Sequence, residues 1–197
     1  MTDRYAVIGN PIHHSKSPLI HSEFARQTQQ DISYEALLSP LDQFAQTVRS
    51  FQNQGGKGLN VTLPFKVEAF RLATQLTERA QLAQAVNTLK FCDNNEILGD
   101  NTDGAGLVHD IEVNQAVSIR NKKILLMGAG GAARGVILPL LMLDPNQLTI
   151  ANRTLDKAIE LQQQFAHFGN IRSASYQELA QEKFDIIINA TSASLAN

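Results

Sequence analysis

The chain has one cysteine, Cys92, in 197 residues, so an intrachain disulfide and a multi-cysteine zinc site are both excluded. Charge of one sign is also scarce. Lys and Arg number 17 against 19 Asp and Glu, a formal net charge of -2, which gives no electrostatic reason to expect nucleic acid. Long apolar runs are missing too. The longest, Val136 to Leu143, falls far short of the roughly 20 residues that span a bilayer. The start, Met1-Thr-Asp-Arg-Tyr-Ala-Val-Ile-Gly9, carries an acid and runs straight into a strand, unlike a signal peptide. The sequons at Asn60, Asn152 and Asn189 are therefore read as functional or turn residues rather than glycan sites, and a cytoplasmic location is expected. His13, His14 and His21 lack metal-ligand spacing, so no metal is expected. Gly55 to Gly58 does not meet the phosphate-loop pattern, and there is no fixed-period repeat. The 43% apolar content suits a soluble globular protein of one large or two small domains.

What is present concentrates between Lys123 and Thr154. A buried strand, Lys123-Lys-Ile-Leu-Leu-Met127, leads into Gly128-Ala-Gly-Gly-Ala-Ala-Arg134, then an apolar run and a second strand ending in Asn152-Arg-Thr154. Gly128, Gly130 and Ala133 fit Gly-x-Gly-x-x-Gly/Ala. The first residue permits a tight turn, the second lets backbone approach a pyrophosphate, and the small third lets helix and strand pack closely. Gly128, Ala129, Gly130, Gly131 and Ala132 would thus cradle phosphates at a helix N-terminus, among free N–H groups at the positive dipole end. An NAD site would end the second strand in an acid that pairs with a ribose hydroxyl. Arg153 stands there instead and suits a 2′-phosphate, which points to NADP.

Strands alternate with helices along the whole chain, which implies α/β architecture with parallel sheets. The spacing predicts an N-terminal unit over residues 1–101, a connecting helix and linker over 102–121, and a Rossmann-like dinucleotide unit over 122–197. In the first unit, Ser17 reads as a helix N-cap followed by Pro18, and Asp42 as the cap of a helix carrying Phe44, Val48 and Phe51. Residues 86–92 and 96–98 read as a hairpin turning at Asp93-Asn-Asn95. In the second unit, a short helix is expected over 175–181. Only four strands are visible in the dinucleotide unit where about six are usual, so it reads as small or incomplete.

Three polar clusters in the first unit follow strand ends. Ser15 and Ser17 carry hydroxyls two residues apart before a helix; they suit a carboxylate, and capping alone also accounts for Ser17. Asn60 and Thr62 alternate with apolar residues and share a strand face. Lys66 follows a sheltering Pro-Phe pair, an environment that lowers a lysine pKa toward acid–base use, though a lysine simply exposed at a helix start fits as well. Asn87 lies in Ala85-Val-Asn-Thr88. Asp100 and Asp103 lie in Gly99-Asp-Asn-Thr-Asp-Gly104 at a strand–helix junction, where a capping role is the alternative.

Taken in order, Ser15 to Pro18, Asn60 to Lys66, Ala85 to Thr88, Gly99 to Gly104, Gly128 to Arg134, Asn152 to Thr154 and Asn189 to Ser192 resemble the shikimate dehydrogenase family over nearly the whole chain. The resemblance implies an oxidoreductase of aromatic amino-acid (chorismate) biosynthesis that reversibly reduces 3-dehydroshikimate with NADPH. It implies Lys66 and Asp103 as the catalytic pair, Ser15 and Ser17 on the substrate carboxylate, and Asn60, Thr62, Asn87 and Asp103 on ring hydroxyls. It assigns the adenosine 2′-phosphate to Asn152, Arg153 and Thr154 with Lys157 beside them, and places Thr191 and Ser192 along the cofactor. The partners it implies are small molecules, in a monomer or homodimer, with neither nucleic acid nor membrane. Family members run on past the position of Asn197, so the chain looks C-terminally truncated. Two alternatives stay open: a relative of broader specificity that also uses quinate, and an inactive fragment that only binds substrate or nucleotide.

Overall fold

The computed structural model describes residues 2–191, which divide into two compact units at Asn101 and Thr102. In the first unit, β1 (Asp3–Gly9), α1 (Ser17–Thr28), β2 (Ile32–Leu38), α2 (Phe44–Asn53) and β3 (Gly56–Val61) come in succession. They are followed by α3 (Lys66–Leu72), β4 (Gln75–Leu76), α4 (Glu78–Ala83), β5 (Thr88–Phe91) and β6 (Ile97–Asp100). The strands form one sheet in the order β2-β1-β3-β5-β6-β4. β1 runs parallel to β2 and β3, while β5 is antiparallel to β3 and to β6. The carboxyl ends of β1, β3 and β6 therefore share one edge with the start of β5.

Sequence periodicity explains how this sheet is covered. On α2 the buried positions are Phe44, Val48 and Phe51, spaced to fall on one helical face. On β3, Leu59 and Val61 are buried and alternate with half-buried Asn60. Phe44 stacks on Phe65 with ring centroids 4.8 Å apart, and both are fully buried. Lys66 therefore leaves the chain directly beside a core anchor. Helix α1 has no buried residue, and its Leu19, Ile20 and Phe24 are exposed.

The second unit opens with α5 (Asp103–His109), which continues into a π-helical turn at Asp110–Asn114. Then come β7 (Lys123–Met127), α6 (Gly131–Leu141), β8 (Gln147–Ala151), α7 (Leu155–Phe165), β9 (Ile171–Ala174) and β10 (Ile186–Asn189). These four strands are all parallel, in the order β10-β7-β8-β9. Ile124, Leu126, Leu148 and Ile150 pack against Ala133, Ile137, Leu140, Leu161 and Phe165. Helix α5 lies against α6 so closely that a Cβ on Gly104 would stand 2.4 Å from the Gly135 carbonyl oxygen.

Several elements differ from the sequence reading. Helix α1 begins at Ser17 with Lys16 as its cap residue, because the Ser15 hydroxyl accepts the Ser17 N–H at 3.3 Å. Helix α2 begins at Phe44 and has no side-chain cap, so Asp42 belongs to the preceding turn. Residues 175–181 form turns rather than a helix. Local bonds close them early: Ser175 N–H donates to Glu178 Oε2 at 2.6 Å, and Glu178 N–H to Ser175 Oγ at 3.4 Å.

Gly104→Ala should destabilise the second unit by about 1–3 kcal/mol, since the new methyl meets the Gly135 backbone and the Pro139 ring, neither of which can swing aside. Chemical denaturation measures this, and an unchanged midpoint would mean that α5 is free to shift away from α6.

Candidate active site

The first unit gathers its polar side chains by backbone bonds between loops. Thr62 N–H donates to Ile8 C=O at 3.0 Å and Asn10 N–H to Leu63 C=O at 3.0 Å, which ties the exits of β1 and β3 together. Val61 N–H donates to Asn87 C=O at 2.7 Å, and Val86 N–H to Lys66 C=O at 2.8 Å. Asn87 N–H reaches Asp100 C=O at 3.0 Å, and the buried Asn101 side chain donates to Ala85 C=O at 2.9 Å. Asn60, Thr62, Lys66 and Asn87 are thereby brought to one edge of the sheet, and all four are half-buried. Ser15 stands in the loop that enters α1 and Ser17 is that helix's first residue; both are likewise half-buried.

The amides are linked by side-chain bonds. The Tyr34 hydroxyl donates to Asn60 Oδ1 at 2.6 Å, Asn60 Nδ2 to Thr88 Oγ1 at 3.3 Å, and Thr88 Oγ1 to Asn87 Oδ1 at 2.9 Å. Burial pushes the Tyr34 phenol up to about 12, and its ring stacks on His21 with centroids 4.1 Å apart. Burial also lowers the His21 imidazole from its ordinary value. Tyr34 was not among the residues expected from sequence. It joins Asn60 only through the strand order β2-β1-β3, which local pattern does not reveal.

The two aspartates of Gly99 to Gly104 have different surroundings. Asp100 accepts from Arg79 through both carboxylate oxygens, the Nε bond measuring 2.6 Å, and from the Thr77 hydroxyl at 2.6 Å and Asn101 N–H at 2.7 Å. The Arg79 guanidinium, aided by Thr77 and Asn101, holds its carboxyl down at about 2 against the opposing effect of burial. Asp100 is thus a structural pair partner, holding α4 to the end of β6. Asp103 is the first residue of α5, half-buried, in the second unit.

The second unit carries its features at the carboxyl ends of β7, β8 and β10. Gly128 has φ +109, a conformation that side chains resist, and a Cβ there would stand 2.8 Å from the Ala190 carbonyl oxygen. Gly130 caps α6, and a Cβ on it would meet nothing within 4 Å, so the turn opens onto space at the helix N-terminus. Ala129 and Ala133 are buried, Gly131 half-buried and Ala132 exposed. At the end of β8, Asn152 Nδ2 donates to Thr154 C=O at 2.9 Å, and Lys157 N–H to Thr154 C=O at 3.2 Å. This closed turn leaves Arg153, Thr154 and Lys157 exposed. Thr191 donates through N–H and Oγ1 to Asn189 Oδ1 at 3.0 and 2.7 Å. Ser192 lies outside the described residues. A pyrophosphate fits the glycine turn, and a 2′-phosphate fits the cationic turn at 152–157, which has only exposed Asp156 as an acid. Among the described residues no cluster of His, Cys, Asp or Glu could hold a metal.

A parallel sheet with a glycine turn at a helix N-terminus in one unit, and in the other a sheet edge that gathers amides, hydroxyls and Lys66, define a dinucleotide-dependent enzyme of the α/β class. The family model for the shikimate dehydrogenase substrate binding domain matches residues 7–89, and that for shikimate / quinate 5-dehydrogenase matches residues 111–196. The chain belongs to the shikimate dehydrogenase family. It is 62% identical to the shikimate dehydrogenase (NADP(+)) of Nitrosomonas europaea, over 99% of this chain and 71% of that protein. An Ael1 enzyme from Pseudomonas putida has a structure similar to this one, with TM-score 0.87 and 50% identity over 98% of this chain and 71% of the other. Shikimate 5-dehydrogenase from Thermus thermophilus, solved with NADP(H) and shikimate, gives TM-score 0.84 and 29% identity over 96% of this chain and 69% of that one.

The Asp100 pair has a pH signature. The folded carboxyl lies near 2 and the ordinary value is 3.8, so its stabilisation is complete above about pH 4 and is lost as pH falls through 3.8 toward about 2. With Arg79 half-exposed, the contribution at neutral pH is at most about 2 kcal/mol. Asp100→Asn should lower the melting temperature at neutral pH and flatten its acid dependence. Melting curves between about pH 2 and 7 that stay parallel to wild type would contradict this.

Proposed function

We propose that this chain binds shikimate and NADP and interconverts shikimate with 3-dehydroshikimate. The observation that carries the reading is the backbone knitting that brings Asn60, Thr62, Lys66 and Asn87 to one sheet edge, in a chain whose relatives bear that activity in their names. Ser15 and Ser17 hold the substrate carboxylate with their hydroxyls. Asn60, Thr62 and Asn87 bind ring hydroxyls, joined by Asp103. Lys66 gives its proton to the oxygen of the reduced ketone, and takes it back when the alcohol is oxidised. Asp103 orients Lys66 and the reacting hydroxyl.

When bound, NADPH would supply the hydride that joins the ring carbon, and in the reverse direction NADP+ would accept the hydride that leaves it. Backbone N–H groups from Gly128 to Ala132 hold its pyrophosphate. Asn152, Arg153 and Thr154 hold its 2′-phosphate, with Lys157 adding charge, while Thr191 and Ser192 flank it. Apart from its charges, the protein's contribution is to fix two reactants in register, which removes an entropic barrier.

A wider specificity is favoured by one observation: the matching family model pairs shikimate with quinate. Quinate has one hydroxyl more than shikimate and lacks its ring double bond, a difference the first unit would have to accommodate. Turnover on each ring with NADP and NAD decides between them.

Lys66→Ala should reduce shikimate turnover by about 10²–10⁴-fold while shikimate affinity changes little. Nicotinamide absorbance gives the rate and calorimetry the affinity; near-normal turnover would remove Lys66 from proton transfer. If the wild-type chain binds both ligands but turns over neither, it acts as a binding fragment. Arg153→Ala should weaken NADP about tenfold or more and leave NAD nearly unaffected. Equal losses for the two nucleotides would assign Arg153 a different role.

A further inference from the structure

We propose that Tyr34 and Thr88 are positioning residues for the substrate, acting through a one-way chain of hydrogen bonds that sets how Asn60 and Asn87 present their amides. The proposal rests on the reading of Asn60 and Asn87 as substrate-binding residues and adds what orients them.

The argument is one of proton counting. Tyr34 donates to Asn60 Oδ1, Asn60 Nδ2 donates to Thr88 Oγ1, and Thr88 donates to Asn87 Oδ1, at 2.6, 3.3 and 2.9 Å. Thr88 has a single hydroxyl proton. If the Asn60 amide turned over, its oxygen would face Thr88 and claim that proton. Two amide oxygens would then compete for it, and the bond to Asn87 would survive only if Asn87 turned over as well. The two amides are therefore coupled, and Tyr34 biases the pair toward one state, because a phenol donates more strongly and accepts more weakly than water or an aliphatic hydroxyl. Its ring is held against His21 at an interplanar angle of 5°, so its hydroxyl arrives from a fixed direction. With the phenol pushed up to about 12 by burial, it keeps its proton throughout the working pH range.

The setting makes such a device useful. Tyr34, Asn60 and Thr88 line a cavity of about 330 Å3 together with Tyr5, Lys57 and Lys90. Water entering there can donate or accept, and so would support either amide orientation. A hydroxylated ring needs donors and acceptors in a fixed order. A turned-over amide sets donor against donor, which converts a bond into an unpaired polar contact.

Shikimate affinity of the whole chain, read by titration calorimetry, tests this. Tyr34→Phe keeps the ring stack and loses only the hydroxyl, and Thr88→Val keeps the branched shape. Each should weaken shikimate about three- to tenfold, with Thr88→Ser restoring wild-type affinity. The Tyr34→Phe effect should stay constant from about pH 6 to about pH 10, and should vanish in an Asn60→Ala background, because Tyr34 acts only through Asn60. If Asn60→Ala weakens shikimate but Tyr34→Phe and Thr88→Val stay within about twofold of wild type, the positioning role is wrong and the site reading stands. A full Tyr34→Phe effect in both backgrounds also overturns it. If Asn60→Ala leaves affinity unchanged, or if wild type binds no shikimate, the site reading falls and the positioning role with it.

Discussion

The first unit depends on one clamp: Val61 N–H on Asn87 C=O at 2.7 Å and Val86 N–H on Lys66 C=O at 2.8 Å. These two backbone bonds join the exit of β3 to the entry of β5. They act where the sheet changes from parallel to antiparallel pairing, with β3 against β5 in register from Gly58 to Asn60. The connection between these strands is itself folded, carrying α3, β4 and α4. The antiparallel return brings the short segment from Ala85 to Thr88 alongside Asn60 to Lys66. Side chains distant in sequence thereby meet where the two ends of that folded connection are tied together.

That clamp needs a firm base, and the core supplies it. Phe65 is fully buried against Phe44 and immediately precedes Lys66, so the lysine's backbone is fixed by packing rather than by its own side chain. Asn101 and Asp100 serve from the other side, one bonding to Ala85 C=O and the other to Arg79 and Thr77. Among the described residues, no buried side-chain nitrogen or oxygen lacks a partner. A half-satisfied polar network would lower stability and blur the geometry at once.

Local chemistry was legible in the sequence. The glycine turn, the Asn152 to Thr154 strand end, the α2 face of Phe44, Val48 and Phe51, and the Asn60/Thr62 alternation are all short-range patterns with short-range causes. Helix starts were less legible. At α1 Ser17 read as the cap, and residues 175–181 read as a short helix, but side chain–backbone bonds set the turn differently in both places. What the sequence hid was everything that depends on strand order. Tyr34 reads as an ordinary half-buried strand residue until β2 is placed next to β1 and β1 next to β3. Asp100 reads as a second candidate acid until α4 brings Arg79 to it. Pairing across tens of residues leaves no periodic trace, so contacts of this type have to be seen.

The two units apply different physics to recognition. At the glycine turn of the second unit, the groups that would meet a phosphate are backbone N–H groups, whose direction the helix already fixes, and a flexible surface arginine that tolerates error in angle. Such a site needs little beyond correct φ/ψ at Gly128 and open space at Gly130. In the first unit the groups are amides and hydroxyls, which can present either a donor or an acceptor in the same place. For these, position alone is insufficient, because an amide correctly placed and wrongly turned opposes the ligand. Side chains that never reach the substrate must then fix the direction. In the Tyr34–Asn60–Thr88–Asn87 chain each member is bonded to the next, so the two amides would turn only together.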